Sequence, residues 1–201
     1  PIQLKHAVSA PTGLLLFGDN AQYILETRTE AFSPKTAEVN LLGAFNQTDR
    51  ISPVDIGETY LFLEEGTKAS SIYELNVKDN IGGKPAALEL TRAIPTYIPA
   101  AIQDMKVSQS AGTLAILSEQ EPSSFYLWRW FGFGETRVSS WFRWILPGTI
   151  TFFAFEHDIL FVVTKQGSNY VLSKISLLTD TPAPSLLFEG NYLDVRLDLF
   201  D

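Results

Sequence analysis

Short apolar runs of four to six residues, rich in Phe, Tyr, Ile, Val and Leu, recur along the chain between clusters of Gly, Pro, Asn, Asp and Ser. Helical periodicity is scarce, so the pattern predicts an all-β fold built of short strands and turns. The one stretch with helical character is Ala87-Leu-Glu-Leu-Thr-Arg-Ala-Ile94, which predicts a helical turn that Pro95 ends.

Four stretches repeat one unit: an apolar strand, a short polar turn, then a second strand opening on Tyr-x-Leu or Tyr-x-Trp. Gly13-Leu-Leu-Leu-Phe17 leads to Tyr23-Ile-Leu25, and Glu58-Thr-Tyr-Leu-Phe-Leu63 leads to Tyr73-Glu-Leu75. Gly112-Thr-Leu-Ala-Ile-Leu117 leads to Tyr126-Leu-Trp128, and Asp158-Ile-Leu-Phe-Val-Val163 leads to Tyr170-Val-Leu172. The four tyrosines are separated by 50, 53 and 44 residues. A period of that size with a hairpin at its centre is what a β-propeller blade leaves in a sequence. A sandwich of evenly spaced hairpins gives similar spacings. The shared Tyr-x-Leu register favours the propeller.

The expectation is therefore one propeller-like domain over residues 1–201, with about four antiparallel blades near 11–50, 51–99, 100–149 and 150–201. The inner strand of a blade precedes its hairpin, as in Ile102-Gln-Asp-Met-Lys-Val-Ser108 and Ile150-Thr-Phe-Phe-Ala-Phe155. Proline cannot donate to a central ladder. Phe32-Ser-Pro-Lys-Thr-Ala-Glu-Val-Asn40, Gln47-Thr-Asp-Arg-Ile-Ser-Pro53 and Ile94-Pro-Thr-Tyr-Ile-Pro99 accordingly read as crossovers between blades.

Composition sharpens this picture. The apolar share of 45% and aromatic share of 12% supply a core, and 19% charged residues are too few for a disordered chain. Cysteine is absent, which removes disulfides, thiolate metal sites and cysteine nucleophiles. No apolar run approaches the roughly 20 residues that cross a bilayer as a helix, so a soluble protein without membrane insertion is expected. The start at Pro1 and the strand-like run Tyr192-Leu-Asp-Val-Arg-Leu-Asp-Leu-Phe200 point to a piece of a longer chain. A formal charge of −8 argues against gripping nucleic acid, which depends on Lys and Arg at phosphates, but not against letting DNA slide past.

Candidate chemistry is sparse. The two histidines are His6, near an end expected to fray, and His157, in a Glu156-His-Asp158 turn that reads as solvated. Gly82-Gly-Lys84 lacks the strand–loop–helix context of a phosphate-binding loop. Glu64, Glu65, Glu119, Glu121 and Asp158 have the chemistry of a glycosidase carboxylate pair, but they fall in hairpin turns, where acids are ordinarily solvated. The Asn46-Gln-Thr48 sequon is what chance leaves. No catalytic, cofactor-binding or metal-binding residue is assigned, no cofactor is expected, and the reading is non-enzymatic.

The aromatic cluster is the strongest feature: Trp128-Arg-Trp-Phe131, Gly132-Phe-Gly-Glu135, then Trp141-Phe-Arg-Trp144. Strand alternation puts Trp128 and Trp130 on one face, with Arg129 and Phe131 on the other. Two uses compete. A stacking platform for sugars or single-stranded nucleic acid leaves the indoles exposed. A packed interface between blades buries them beneath arginines, and this reading is favoured. The structural core candidates are Tyr23, Tyr73, Tyr126, Tyr170, Trp128, Trp130, Trp141 and Trp144.

Six segments, taken in order, resemble the tail tubular protein B family, the nozzle proteins of short-tailed bacteriophages. They are Leu14-Leu-Leu-Phe-Gly-Asp-Asn-Ala-Gln-Tyr-Ile-Leu25, Phe32–Asn40, Gln47-Thr-Asp-Arg50, Ser70-Ser-Ile-Tyr73, Pro95-Thr-Tyr-Ile-Pro99 and Gly134-Glu-Thr-Arg-Val-Ser-Ser-Trp-Phe-Arg-Trp144. The resemblance implies a structural protein of the virion tail: a homohexameric nozzle that meets a tail adaptor protein and a tail fibre protein and encloses the genome-ejection channel. DNA passes that channel without specific binding. The resemblance also implies propeller-like domains, no catalytic residues, and members several times longer than this chain. The alternative is a carbohydrate-binding or glycoside-hydrolysing propeller at a host surface.

Overall fold

A computed structural model describes residues 2–27, 32–57, 59–77, 87–132 and 136–177. Glu58, Gly82–Lys84, Gly134, Glu135 and the run Tyr192–Phe200 lie outside the described residues. The described chain is all-β, with four antiparallel sheets in which every strand pairs with its neighbours in sequence.

Sheet 1 runs β1 (Leu4–Ala10), β2 (Gly13–Gly18), β3 (Gln22–Thr27) and β4 (Ala37–Gly43). Sheet 2 runs β5 (Val54–Asp55), β6 (Thr59–Glu65), β7 (Ser70–Asn76) and β8 (Ala87–Glu89). Sheet 3 runs β9 (Ile102–Ser108), β10 (Thr113–Ser118), β11 (Ser124–Phe131) and β12 (Val138–Ile145). Sheet 4 runs β13 (Thr149–Glu156), β14 (Ile159–Gln166) and β15 (Asn169–Ser176). Meanders of this size are the building block of propeller blades. The four repeated hairpins of the sequence are the second and third strands of the four sheets, and each repeated tyrosine lies in the third strand.

The chain divides into two compact units, Pro1–Gln103 and Asp104–Asp201. In the first, sheets 1 and 2 share a core of Leu15, Phe17, Ile24, Leu42, Tyr60, Phe62 and Leu75. Phe62 is fully buried, meets Phe17 at 5.7 Å between centroids and stacks on Tyr73 at 5.3 Å. Burial of one such ring stabilises by about 1.5–3 kcal/mol. Gln22 is buried in this unit with both ends of its amide satisfied: Nε2 donates to Phe45 O (2.8 Å) and Oε1 accepts from Phe45 N (3.2 Å). A buried amide without partners would cost a few kcal/mol, so the pair fixes the strand ends rather than weakening them.

In the second unit, sheets 3 and 4 enclose Ala115, Leu117, Phe125, Leu127, Ile150, Phe153, Leu160 and Val162. Phe125 meets the edge of Phe153 at 4.9 Å. The Lys106 ammonium ties β9 to β13 through the Phe153 carbonyl (2.7 Å) and lies 4.8 Å from the Phe152 ring centre.

Several sequence expectations are corrected. Ala87–Glu89 is strand, not helix, because its residues complete the ladder on β7: Leu75↔Ala87, Glu74↔Leu88 and Tyr73↔Glu89. Phe32–Asn40 is not a crossover. A turn at Ser33–Thr36, closed by Ala37 N–H to Ser33 O (2.9 Å), delivers the chain into β4. The Pro34 position falls in that turn, where no ladder donor is needed. His6 is no frayed residue: it sits in β1, its Nε2 2.9 Å from Thr48 O and its Nδ1 3.2 Å from Ser52 Oγ.

Candidate functional site

The aromatic hairpin is the densest chemistry in the chain, and its register explains its shape. β11 pairs with β12 so that Trp128 opposes Trp141 and Phe125 opposes Trp144. Side chains alternate across a strand, which splits the cluster between the two faces of sheet 3. On one face Trp128 stacks on Trp130 at 4.8 Å, Trp141 approaches at 6.2 Å, and the Arg137 guanidinium lies 5.2 Å from the Trp128 ring centre. On the other, Trp144 and Phe142 pack against the core of the second unit. Trp128 is 1% exposed and Trp130 8%. Neither indole is open for a sugar or a base to stack on.

The remaining core candidates differ in placement. Tyr126 is buried, while Tyr23, Tyr73, Trp141 and Trp144 are half-buried. Tyr170 is 65% exposed, a departure from its expected place in the core. It lies opposite Lys165 on β15, and that face of sheet 4 points away from the core that Ile175 joins on the other side.

Three of the turn acids are engaged in hydrogen bonds. Glu64 accepts from Asn46 Nδ2 (2.6 Å), Glu65 from Ile102 N–H (3.3 Å), and Glu121 from Arg143 (2.9 Å). Burial, a hydrogen bond to Glu64 and that carboxylate's charge push the Tyr73 hydroxyl up to about 12. Burial also raises Tyr126, against the lowering effect of Arg143. His157 occupies a two-residue turn between β13 and β14 at φ 54°, exposed to solvent, and its carbonyl accepts from Ser108 Oγ. Among the described residues no group of three or more His, Asp or Glu side chains is placed to hold a metal, and no helix is long and apolar enough to cross a membrane.

Sequence reading did not single out the outer face of sheet 1. Two cross-strand ladders run over it, Leu14–Leu25–Val39 and Leu16–Tyr23–Leu41. Their outermost members, Val39 and Leu41, are 59% and 58% exposed. The alternation of Leu14 and Leu16 with the buried Leu15 and Phe17 was the available signal, since it marks a strand apolar on both faces.

The model of the bacteriophage nozzle protein family matches residues 1–199. The chain belongs to this family. The nozzle chain is also 26% identical over 176 residues to the tail tubular protein gp12 of Escherichia phage T7, a match covering 86% of this chain and 22% of that protein. It thus spans about a fifth of the relative's length. The crystal structure of the N-terminal domain of Nup159 is 12% identical, covers 86% of the nozzle chain and 48% of its own, and superposes with a TM-score of 0.47. Family membership makes this a structural protein of the phage tail, located in the virion tail.

Proposed function

We propose that the chain forms part of a homohexameric nozzle that meets the tail adaptor and tail fibre proteins and lines the conduit through which DNA is ejected. The family match over residues 1–199 carries this reading. The division of 1–201 into four blades of one propeller-like domain belongs to the same proposal.

Charge supports the conduit role. A wall must pass a polyanion without holding it, and the chain carries a formal charge of −8. Fixed negative charge repels phosphates over about 10 Å at 0.1 M salt. Acids such as Glu119 and Asp158 in the hairpin turns are the candidates to face the lumen. The packing of the aromatic hairpin supports a scaffold rather than a sugar reader, because stacking on a sugar needs indoles that the fold leaves open.

Light scattering on the intact protein, with and without purified adaptor, tests the assembly. A closed hexamer, alone or on meeting the adaptor, is expected. A persistent monomer that ignores the adaptor overturns the reading, and a density map with a basic lumen overturns the charge argument.

A further inference from the structure

Among the described residues, sheets 1, 2 and 3 have four strands each and sheet 4 has three. The two outer strands of sheet 4 are finished differently. β13 is bulged between Ile150 and Phe152, and its Phe153 carbonyl accepts from the Lys106 ammonium (2.7 Å). A bulge and a lysine are two of the devices that keep an edge strand from pairing further. β15 pairs with β14 through eight residues in unbroken register, from Gln166↔Asn169 to Ile159↔Ser176. It contains no proline, and Lys174 is its one charge. Tyr170, Val171 and Leu172 are 65%, 38% and 68% exposed. A long, regular edge of this kind is a template for one more strand.

The two faces of β15 set what that strand must carry. Ile175 packs against the core of the second unit, and Val171 and Ser173 share its side of the strand. Tyr170, Leu172 and Lys174 lie on the other side, where Tyr170 opposes Lys165 and Lys174 opposes Phe161. A fitting partner is therefore apolar toward the core and acidic, four residues apart, toward the two lysine rows. Leu193-Asp-Val-Arg-Leu-Asp-Leu199 of this chain has that pattern: Leu193, Val195, Leu197 and Leu199 form one set, and Asp194 and Asp198 belong to the other. Fifteen residues separate it from Leu177, among them Pro182 and Pro184, which suit a connection and not a ladder. Closing a loop of that length costs little more than closing a short one.

One antiparallel register satisfies both faces. With Asp194 opposite Lys174, Asp198 falls opposite Tyr170 in the row of Lys165, and Leu193, Val195 and Leu197 fall beside Ile175, Ser173 and Val171. A slip of one residue turns every leucine outward. A slip of two sets Arg196 opposite Lys174 or in the row of Lys165, and like charges directly opposite destabilise a pair. We propose that residues 193–199 are the strand that caps β15 in this register, closing sheet 4 with a segment of its own chain so that the edge is not left to another copy. The proposal rests on the reading of 150–201 as one blade and not on the hexamer, so ring and strand fail separately.

Residues 1–201 contain no cysteine, so introduced pairs report on this edge cleanly. Leu172→Cys with Arg196→Cys sets two thiols directly opposite in the proposed register, and Leu172→Cys with Val195→Cys is the same pair slipped by one residue. Thiols on opposite faces of a sheet cannot bridge without backbone movement. Both variants are made in the full-length protein and oxidised gently, and the linked peptides are identified by mass. A disulfide within one chain for the 172/196 pair, and its loss for the 172/195 pair, is the expected result. A disulfide joining two chains would give the edge to a second copy and overturn the proposal, as would no disulfide for 172/196 or equal oxidation of the two pairs. Hydrogen exchange on the unaltered full-length protein reads the same edge without a substitution. Pairing on both sides slows consecutive amides of β15, whereas pairing with β14 alone slows only alternate ones, and that outcome would overturn the proposal as well.

Discussion

The indoles of Trp128 and Trp130 lie 4.8 Å apart with their planes 27° from parallel, although both come from the same strand. Two residues apart on β11, they share a face, and the cross-strand Trp141 and the Arg137 guanidinium close the stack. Trp128→Ala removes the largest fully buried side chain and is expected to cost about 3–5 kcal/mol in chemical denaturation. Tyr170→Ala, on the open face of sheet 4, is expected to change stability by less than about 0.5 kcal/mol. Equal costs for the two would contradict the burial described here.

Alkaline behaviour follows from Tyr73. Its raised hydroxyl pKa means that the folded state holds the proton more tightly than the unfolded chain, where the value is near 10. The stabilisation is therefore complete below pH 10 and is lost as pH rises from 10 towards about 12. Melting temperatures between pH 9 and pH 11.5 should fall (roughly the span that brackets a phenol near 10), and Tyr73→Phe should flatten that fall. Ultraviolet titration of the phenolates should show one late-ionising tyrosine disappear in the variant.

Two turns favour glycine. His157 holds φ 54°, a left-handed conformation that costs a residue with a Cβ about 1–2 kcal/mol relative to glycine. His157→Gly should raise stability by up to about 1 kcal/mol once the added freedom of the unfolded chain is counted. Gly112 has φ 55°, and a Cβ there would stand 2.4 Å from the Trp130 carbonyl oxygen. Gly112→Ala is expected to destabilise by more than about 1 kcal/mol, seen as a shift in the denaturation midpoint without loss of strand content.

Glu74 is buried and accepts a 2.6 Å hydrogen bond from Thr59 Oγ1 across the β6–β7 pair. Thr59→Val keeps the shape and removes the donor. An acceptor short of its partner in the interior costs about 1–3 kcal/mol. Thr59→Ser, which restores the hydroxyl, should recover most of that loss; failure to do so would show that packing and not the hydrogen bond is at stake.

The hairpins were legible because their apolar runs are short, turn-bounded and marked by a tyrosine in a fixed register, as in Leu16↔Tyr23 and Phe62↔Tyr73. Partner strands were harder to read. Glu38-Val-Asn-Leu41 alternates as an edge strand does, but Pro34 shortly before it suggested a connection. Ala87-Leu-Glu89 carries helix-favouring residues, and only its ladder on β7 makes it strand. Trp144 shares a tryptophan-rich stretch with Trp141 and yet points to the other side of the sheet, which follows from counting along the strand. The exposure of Tyr170 was not legible, since the Tyr-x-Leu motif is the same in a covered sheet and an uncovered one.

The pairing of every strand with its sequence neighbour bears on how such a chain is made. A four-stranded sheet here closes within about forty residues, as in 4–43, and waits for nothing further along. Synthesis delivers roughly 5–20 residues per second, whereas a β-hairpin forms in about 1–10 μs. Each sheet therefore has time to assemble on the ribosome before the next is complete. Contacts this local favour fast folding and shorten the exposure of unpaired edges, which suits a protein that must stay unaggregated until it joins a tail.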